Sequence, residues 1–260
     1  MQTSKYCPVH SLFLKHYIKI DLIDFFSFPF LIQRRQKLRS GGNIAIHPCS
    51  LPYIQQTFRM LNLIPMNKTM RGVEESCGFP LLEELSLATT SYSFTSDKDL
   101  LHILFGSTKL RVLDLRGCSR ITPAGLAALP CSDLECLFWG QYFTSSVGSS
   151  SLPKTGLHLL TQKWGQTLQQ LDIANQLFTE EDLECAISFL SQAPDTLRSL
   201  NLSGTRISPS FFNSIVHFLA LLGQTTLNYL NLSSCRYLPR GLKRTYRDQE
   251  DIQQLLVKIK

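Results

Sequence analysis

LRVLDLRGCSRITPAGL, residues 110–126, is the stretch on which the fold turns. Leucines stand at its first, fourth and sixth positions, a cysteine at the ninth and an isoleucine three residues further on. Thr122-Pro123 then pairs a helix-capping residue with proline at the first helical position, where its missing N–H costs nothing. A short strand followed by a helix accounts for one such stretch, but not for its recurrence.

The pattern returns as LEELSLATT from Leu82, LECLFWGQY from Leu134, LQQLDIANQ from Leu168, LRSLNLSGT from Leu197 and LNYLNLSSC from Leu227. Successive starts are 28, 24, 34, 29 and 30 residues apart, and a weaker FRMLNL begins at Phe58. The L-x-x-L-x-L-x-x-N/C-x-L unit is the leucine-rich repeat. Leucines two apart on a strand point to one side, so each unit offers one apolar face. Stacking units about 4.8 Å apart builds a parallel sheet over one continuous core. Position nine holds Thr90, Cys118, Thr205 and Cys235 in four of the six units, where hydroxyls and thiols can bond the loop backbone.

The return segments have helix starts. Ser96 and Asp99, and Thr179 and Asp182, have capping-box spacing, and Ser208-Pro209 repeats the Thr122-Pro123 device. Leu183, Ala186, Ile187 and Leu190 recur at helical spacing. The expected fold class is therefore α/β, a leucine-rich-repeat solenoid with a curved parallel sheet inside and helices outside. Its organisation reads as an unassigned N-terminal segment, 1–57, then repeats over 58–238 (about six, plus the weak first one), then a C-terminal cap, 239–260. In that cap Ile252, Leu255, Leu256 and Ile259 share a helical face, and Arg236, Arg240, Lys243, Arg244 and Arg247 form a basic run. The third unit departs from the pattern: Trp139 replaces the sixth-position leucine, Tyr142 holds position nine, and TSSVGSSSLPKTG (144–156) lengthens it.

Composition narrows the function. Net charge is +6, yet residues 79–235 carry 9 Lys+Arg against 13 Asp+Glu, so the basic excess lies in the flanks. The repeat body has no basic stripe, and no nucleic-acid partner is expected. Lys15, Lys19, Asp21 and Asp24 interrupt the apolar stretch 11–32, so no membrane span is expected. Cys131 and Cys136 lack a second ligand pair with zinc spacing, and no phosphate-binding glycine loop occurs. Buried thiols at position nine fit a reducing compartment; the sequons at Asn67, Asn201 and Asn231 would matter only in an exported chain, and two of them fall inside leucine runs, where they read as coincidence. His102 and His217 sit in apolar helical runs, the carboxylates of 180–184 suit a helix start, and Cys185 reads as a buried apolar residue. Neither catalysis, nor a metal, nor a cofactor is expected.

What remains is the strand face opposite the leucines. Its side chains make a polar lane: Glu84 and Ser86; Val112, Asp114 and Arg116; Cys136 and Phe138; Gln170 and Asp172; Ser199, Asn201 and Ser203; Tyr229, Asn231 and Ser233. Apolar anchors in a polar surround suit a protein partner. The candidate binding residues are Val112, Asp114, Arg116, Phe138, Asp172, Asn201, Tyr229 and Asn231.

Cysteine at position nine, with Ile121 and Leu238 three residues beyond, resembles the cysteine-containing repeats of F-box proteins. LRVLDLRGCSRITPAGLAALPCSDLE, LLTQKW (159–164), LNLSGTRISPS and YLNLSSCRYLPRGLKRTYR carry the likeness over about 79–260. The resemblance implies a receptor of an SCF-type (Skp–cullin–F-box) ubiquitin ligase, its repeats presenting a protein substrate on a concave face. The F-box itself does not read out. Leu51-Pro52 with Phe58 and Leu61 echoes its opening, but a full module from Leu51 would run into the repeat at Leu82, and the first tryptophan is Trp139. Skp and cullin are thus expected partners only if a cryptic F-box lies in the chain. The alternatives are a ubiquitin-independent scaffold or competitor using the same lane and, third, a GTPase-activating protein in which Arg116 would act. A cytoplasmic or nuclear location is expected.

Overall fold

The structure, a computed structural model, describes residues 79–88, 93, 95–142, 154–193, 196–207, 216–224, 226–235, 238 and 241–259, together with the backbone of residues 18–19 and 60–63. Thr90, the Ser208-Pro209 start, Arg236, Arg240 and most of the 144–156 insertion lie outside the described residues.

The strands are β1 (Ile18–Lys19), β2 (Met60–Leu63), β3 (Glu84–Ser86), β4 (Val112–Asp114), β5 (Cys136–Phe138), β6 (Gln170–Asp172), β7 (Ser199–Asn201), β8 (Tyr229–Asn231) and β9 (Thr245–Tyr246). They form one sheet in sequence order; β2 to β8 pair in parallel, while β1 and β9 flank them antiparallel. The helices are α1 (Asp97–Ile103), α2 (Pro123–Ala127), α3 (Leu157–Trp164), α4 (Glu180–Ser191), α5 (Val216–Leu222) and α6 (Gln249–Ile259). The chain is α/β with a parallel-dominated sheet, and the weak FRMLNL unit joins it with Leu61 opposite Leu85.

Register follows the repeat. Leu85, Leu113, Leu137, Leu171, Leu200 and Leu230, the fourth-position leucines, stand side by side across six strands. Each is buried between half-buried neighbours, in one core with Leu100, Leu126, Leu160, Leu183 and Leu221 of the helices. A one-residue slip would carry every one of these leucines to the opposite face, so the hydrophobic effect enforces the register. Past each strand the main-chain ladder continues, with Leu87 N–H donating to Asp114 O, Ile173 N–H to Asn201 O and Leu202 N–H to Asn231 O.

Position nine ties one unit to the one before. Cys118 Sγ donates to Leu87 O at 3.4 Å and Cys235 Sγ to Leu202 O at 3.2 Å, each reaching the sixth-position carbonyl of the previous unit. Gln176 does the same in the fourth unit, donating to Trp139 O at 2.6 Å. Ile121 and Leu238, three residues beyond the two cysteines, are buried.

The helix starts follow the expected caps, with one correction. Ser96 and Asp99 form a complete capping box, and Thr122 caps α2 ahead of Pro123. Thr179 accepts from Asp182 N–H, but Asp182 does not complete the box. Its carboxylate instead accepts the Gly156 and Leu157 amides at 3.0 and 3.1 Å, capping α3, whose own N-cap glycine has no side chain to do so. The helix dipole thus does not fully account for the 180–184 carboxylates. Asp97 braces α2 likewise, accepting from Thr122 N–H and Oγ1 at 2.8 and 2.6 Å. Gly125 leaves room for it, since a Cβ there would lie 2.2 Å from the Asp97 carboxyl carbon.

Cys185 is exposed, not buried. The α4 face that enters the core is Leu183, Ala186, Ile187 and Leu190, and helical periodicity turns residue 185 away from it. The LLTQKW stretch has a structural role. Trp164 Nε1 donates to Cys131 O at 3.0 Å, while Lys163 Nζ donates to Ala127 O at 2.8 Å and to Leu129 O, holding the end of α2. At the far end α6 buries Ile252 and Leu255 against β8 and β9, and its Asp251 pairs with Lys243 of the basic run. Among the described residues no helix is long and apolar enough to cross a membrane.

Candidate functional site

The side chains that alternate with the buried leucines occupy two columns on the other face of the sheet. Position three gives Glu84, Val112, Cys136, Gln170, Ser199 and Tyr229; position five gives Ser86, Asp114, Phe138, Asp172, Asn201 and Asn231. All are half-buried, because neighbours about 4.8 Å away on adjacent strands shade one another.

Position five has a structural job that the repeat pattern alone does not reveal. Asp114, Asp172, Asn201 and Asn231 each accept, through Oδ1, the amide two residues further on, at 3.1, 2.9, 3.1 and 3.0 Å. These are Asx turns, which aim the chain out of the strand. Position eight takes the left-handed conformation that completes the bend, at Gly117, Asn175, Gly204 and Ser234. Four of the eight candidate residues therefore hold up the fold. Asn231 is committed further: Thr245 Oγ1 of β9 donates to it at 3.4 Å.

The eight candidates do not converge as one cluster. Asp114, Arg116, Phe138 and Asp172 come together over β4 to β6. Arg116 grips both oxygens of Asp114, Nε at 2.9 Å and Nη2 at 2.6 Å, and lies over the Phe138 ring with its guanidinium carbon 5.5 Å from the centroid. The Asp114 hydrogen bonds hold Arg116 above the ordinary arginine value against the cost of its partial burial. Burial pushes the Asp172 carboxyl above the ordinary aspartate value, against the Ala174 amide, the Asn201 side chain and Arg116, all of which favour its charge. Val112 stands in the other column of β4, opposite Cys136. Tyr229 lies on β8, three strands from Phe138 and so about 14 Å away, too far for the two aromatics to form one pocket.

Beside this cluster the third unit is rebuilt. Trp139 is fully buried edge-on to Phe178, with ring centroids 5.9 Å apart, and Lys154 Nζ lies 4.6 Å from its centroid. Lys154 donates to Ile121 O at 3.0 Å and to Ser119 O at 3.4 Å; burial lowers its pKa to about 8. Tyr142, next to the insertion, is exposed.

A second column was not anticipated. Threonines directly before the first leucine donate back across units: Thr167 Oγ1 to Leu134 O at 2.8 Å and Thr226 Oγ1 to Leu197 O at 3.1 Å. The Thr-Leu dipeptides at 167 and 226 were the sequence signal for it; Thr196-Leu197 has the same form, but Thr196 Oγ1 donates to Gly165 O at 3.3 Å.

Residues 106–129 match the family described as Leucine Rich repeat. The match spans one unit and supports a leucine-rich-repeat protein, and such repeats generally serve as protein-binding modules. No curated protein matches it.

Proposed function

We propose that residues 58–238 form a leucine-rich-repeat solenoid, closed by 239–260, that binds a protein through the open face of its sheet, and that the bound protein is the substrate of an SCF-type ubiquitin ligase. The observation that carries this reading is that Phe138, Val112 and Tyr229 stand half-exposed on this face, whereas Asp114, Asp172, Asn201 and Asn231 of position five are occupied by turns. Aromatic and apolar side chains that the fold does not consume are what a protein interface uses. The ligase assignment rests on sequence: the ninth-position cysteines with LLTQKW and YLNLSSCRYLPRGLKRTYR resemble F-box and leucine-rich-repeat protein 6. The alternative is a ubiquitin-independent scaffold, or a competitor of a full-length receptor. It is favoured by Leu51-Pro52 and Trp139 lying too far apart to belong to one F-box.

Affinity purification of the full chain from its own cells, scoring the Skp adaptor and the cullin, separates the two. Stoichiometric recovery supports the receptor, and recovery of another protein without them supports the scaffold. Phe138→Ala and Tyr229→Ala should each lower retention of the bound protein at least fivefold, with the unfolding midpoint little changed. If both folded variants keep every partner, binding is not on this face.

A further inference from the structure

We propose that Asp172 is the charge-reading residue of the open face, pairing with a lysine or arginine on the bound segment; this inference rests on that face being the binding face. The argument begins with what position five requires. Asn201 and Asn231 make the same turn as Asp172, by the same acceptor atom, at 3.1 and 3.0 Å against 2.9 Å. An amide oxygen therefore serves the fold at this position, and a negative charge is surplus to it. Asp114 also carries a charge, but Arg116 answers it with two hydrogen bonds.

Asp172 has no such answer. Among the described residues no lysine, arginine or histidine forms an ion pair with it, and Arg116 is committed to Asp114. Burial opposes the charge more than the Ala174 amide, the Asn201 side chain and Arg116 together favour it, yet the residue is aspartate and not asparagine. Gly140 opens the space that it fills, since a Cβ there would lie 2.7 Å from Asp172 Oδ1. Features that cost stability and serve no fold role concentrate at functional sites.

The neighbours define the partner. Phe138 stands directly beside Asp172 in register, with Asn201 on the other side. The aliphatic stem of a lysine or arginine can lie along an aromatic ring while its charged head meets the carboxylate. Glu84, Asp114 and Asp172 against Arg116 leave the columns net negative, which steers a basic segment and repels an acidic one. The occupant is a protein segment with a basic residue flanked by apolar ones, the latter meeting Phe138 and Val112.

Four pools of short peptides, randomised except for a central lysine, arginine, glutamine or glutamate, are captured on the immobilised full chain and quantified. The lysine and arginine pools should be retained at least threefold over the glutamine pool, and the glutamate pool should fall below it. Asp172→Asn keeps the turn, so it should fold with an equal or higher unfolding midpoint and bring the basic pools down to the glutamine level. Equal retention of all four pools by the native chain overturns the proposal, as does a preference that survives Asp172→Asn. Phe138→Ala should lower all four pools together. If it does so while Asp172→Asn keeps its preference, only the charge assignment fails; if it changes nothing, the binding face itself is wrong.

Discussion

In the unit that starts at Leu197, Asn201 caps its own turn, Gly204 takes the left-handed eighth position and Thr205 is buried at the ninth. In the unit that starts at Leu134 the same places hold Phe138, Gln141 and an exposed Tyr142. The main chain is nevertheless laid down alike: Leu137 pairs in register on both sides, and Gln141 N–H donates to Ala174 O much as Gly204 N–H donates to Ser233 O. The missing cap is answered in part by the neighbouring unit, where Asn175 Nδ2 donates to Gln141 O at 2.7 Å, and in part by the third unit's own insertion, whose Lys154 covers the indole. Gln176 to Trp139 O is the same ninth-position tie that Cys235 makes to Leu202 O. A regular unit thus caps its own turn, whereas the third leans on the asparagine of its successor. That arrangement keeps Phe138 and Tyr142 out of the turn's own hydrogen bonds, and Asp172 stands beside Phe138 in register.

The sharpest way to break this comparison is Trp139→Ala. Emptying the site of a fully buried indole should cost about 3–5 kcal/mol in chemical denaturation, far more than the loss of any one cap. Gln176→Ala comes next. It withdraws the donor from a buried carbonyl, and should cost about 1–3 kcal/mol, the worth of one ninth-position tie. A cost near zero would mean that the ninth-position tie adds nothing to stability here. Gly204→Ala probes the self-capping unit. Its φ of +70° strains any L residue by about 1–2 kcal/mol, and the new Cβ would lie 2.0 Å from Asn175 Oδ1.

The smallest effect is a pH dependence. With Lys154 at about 8 when folded and in the ordinary lysine range when unfolded, the unfolded chain holds a proton above pH 8 that the folded chain has released. Stability therefore climbs as pH rises through that window, by about 1 kcal/mol between pH 7 and 9 for this group. Buried Cys118 and Cys131, both raised to about 11, oppose the trend above pH 9, because their thiols stay protonated in the fold while unfolded ones ionise. The native chain minus Lys154→Met isolates the lysine. Parallel pH profiles for the two would place Lys154 in water.

The candidate lane was legible as a list of side chains but not as a division of labour. Strand alternation put Asp114, Asp172, Asn201 and Asn231 on the open face, and there they are. Alternation says nothing about what an oxygen accepts, so turn-makers and surface residues looked alike. Arg116 stood out as a lone cation, and the structure spends it on Asp114 and Phe138. Cys185 reads as buried by residue type alone, whereas the helical spacing of Leu183, Ala186, Ile187 and Leu190 turns it outward.

The sequence by itself determined the repeat, its register and the core, because these depend on local periodicity. Leucines at positions one, four and six can be buried together in only one stacking of strands. The caps at Ser96 and Thr122 were fixed in the same way, by residues three apart. The tertiary structure alone decided the cross-unit bonds that the repeat pattern does not carry: Asp182 to the start of α3, Lys163 to the end of α2, Gln176 to Trp139. These partners lie 26 to 37 residues apart. They meet only because stacking sets one unit's loop above the next, an offset that varies with the length of each return segment and is written in no single repeat.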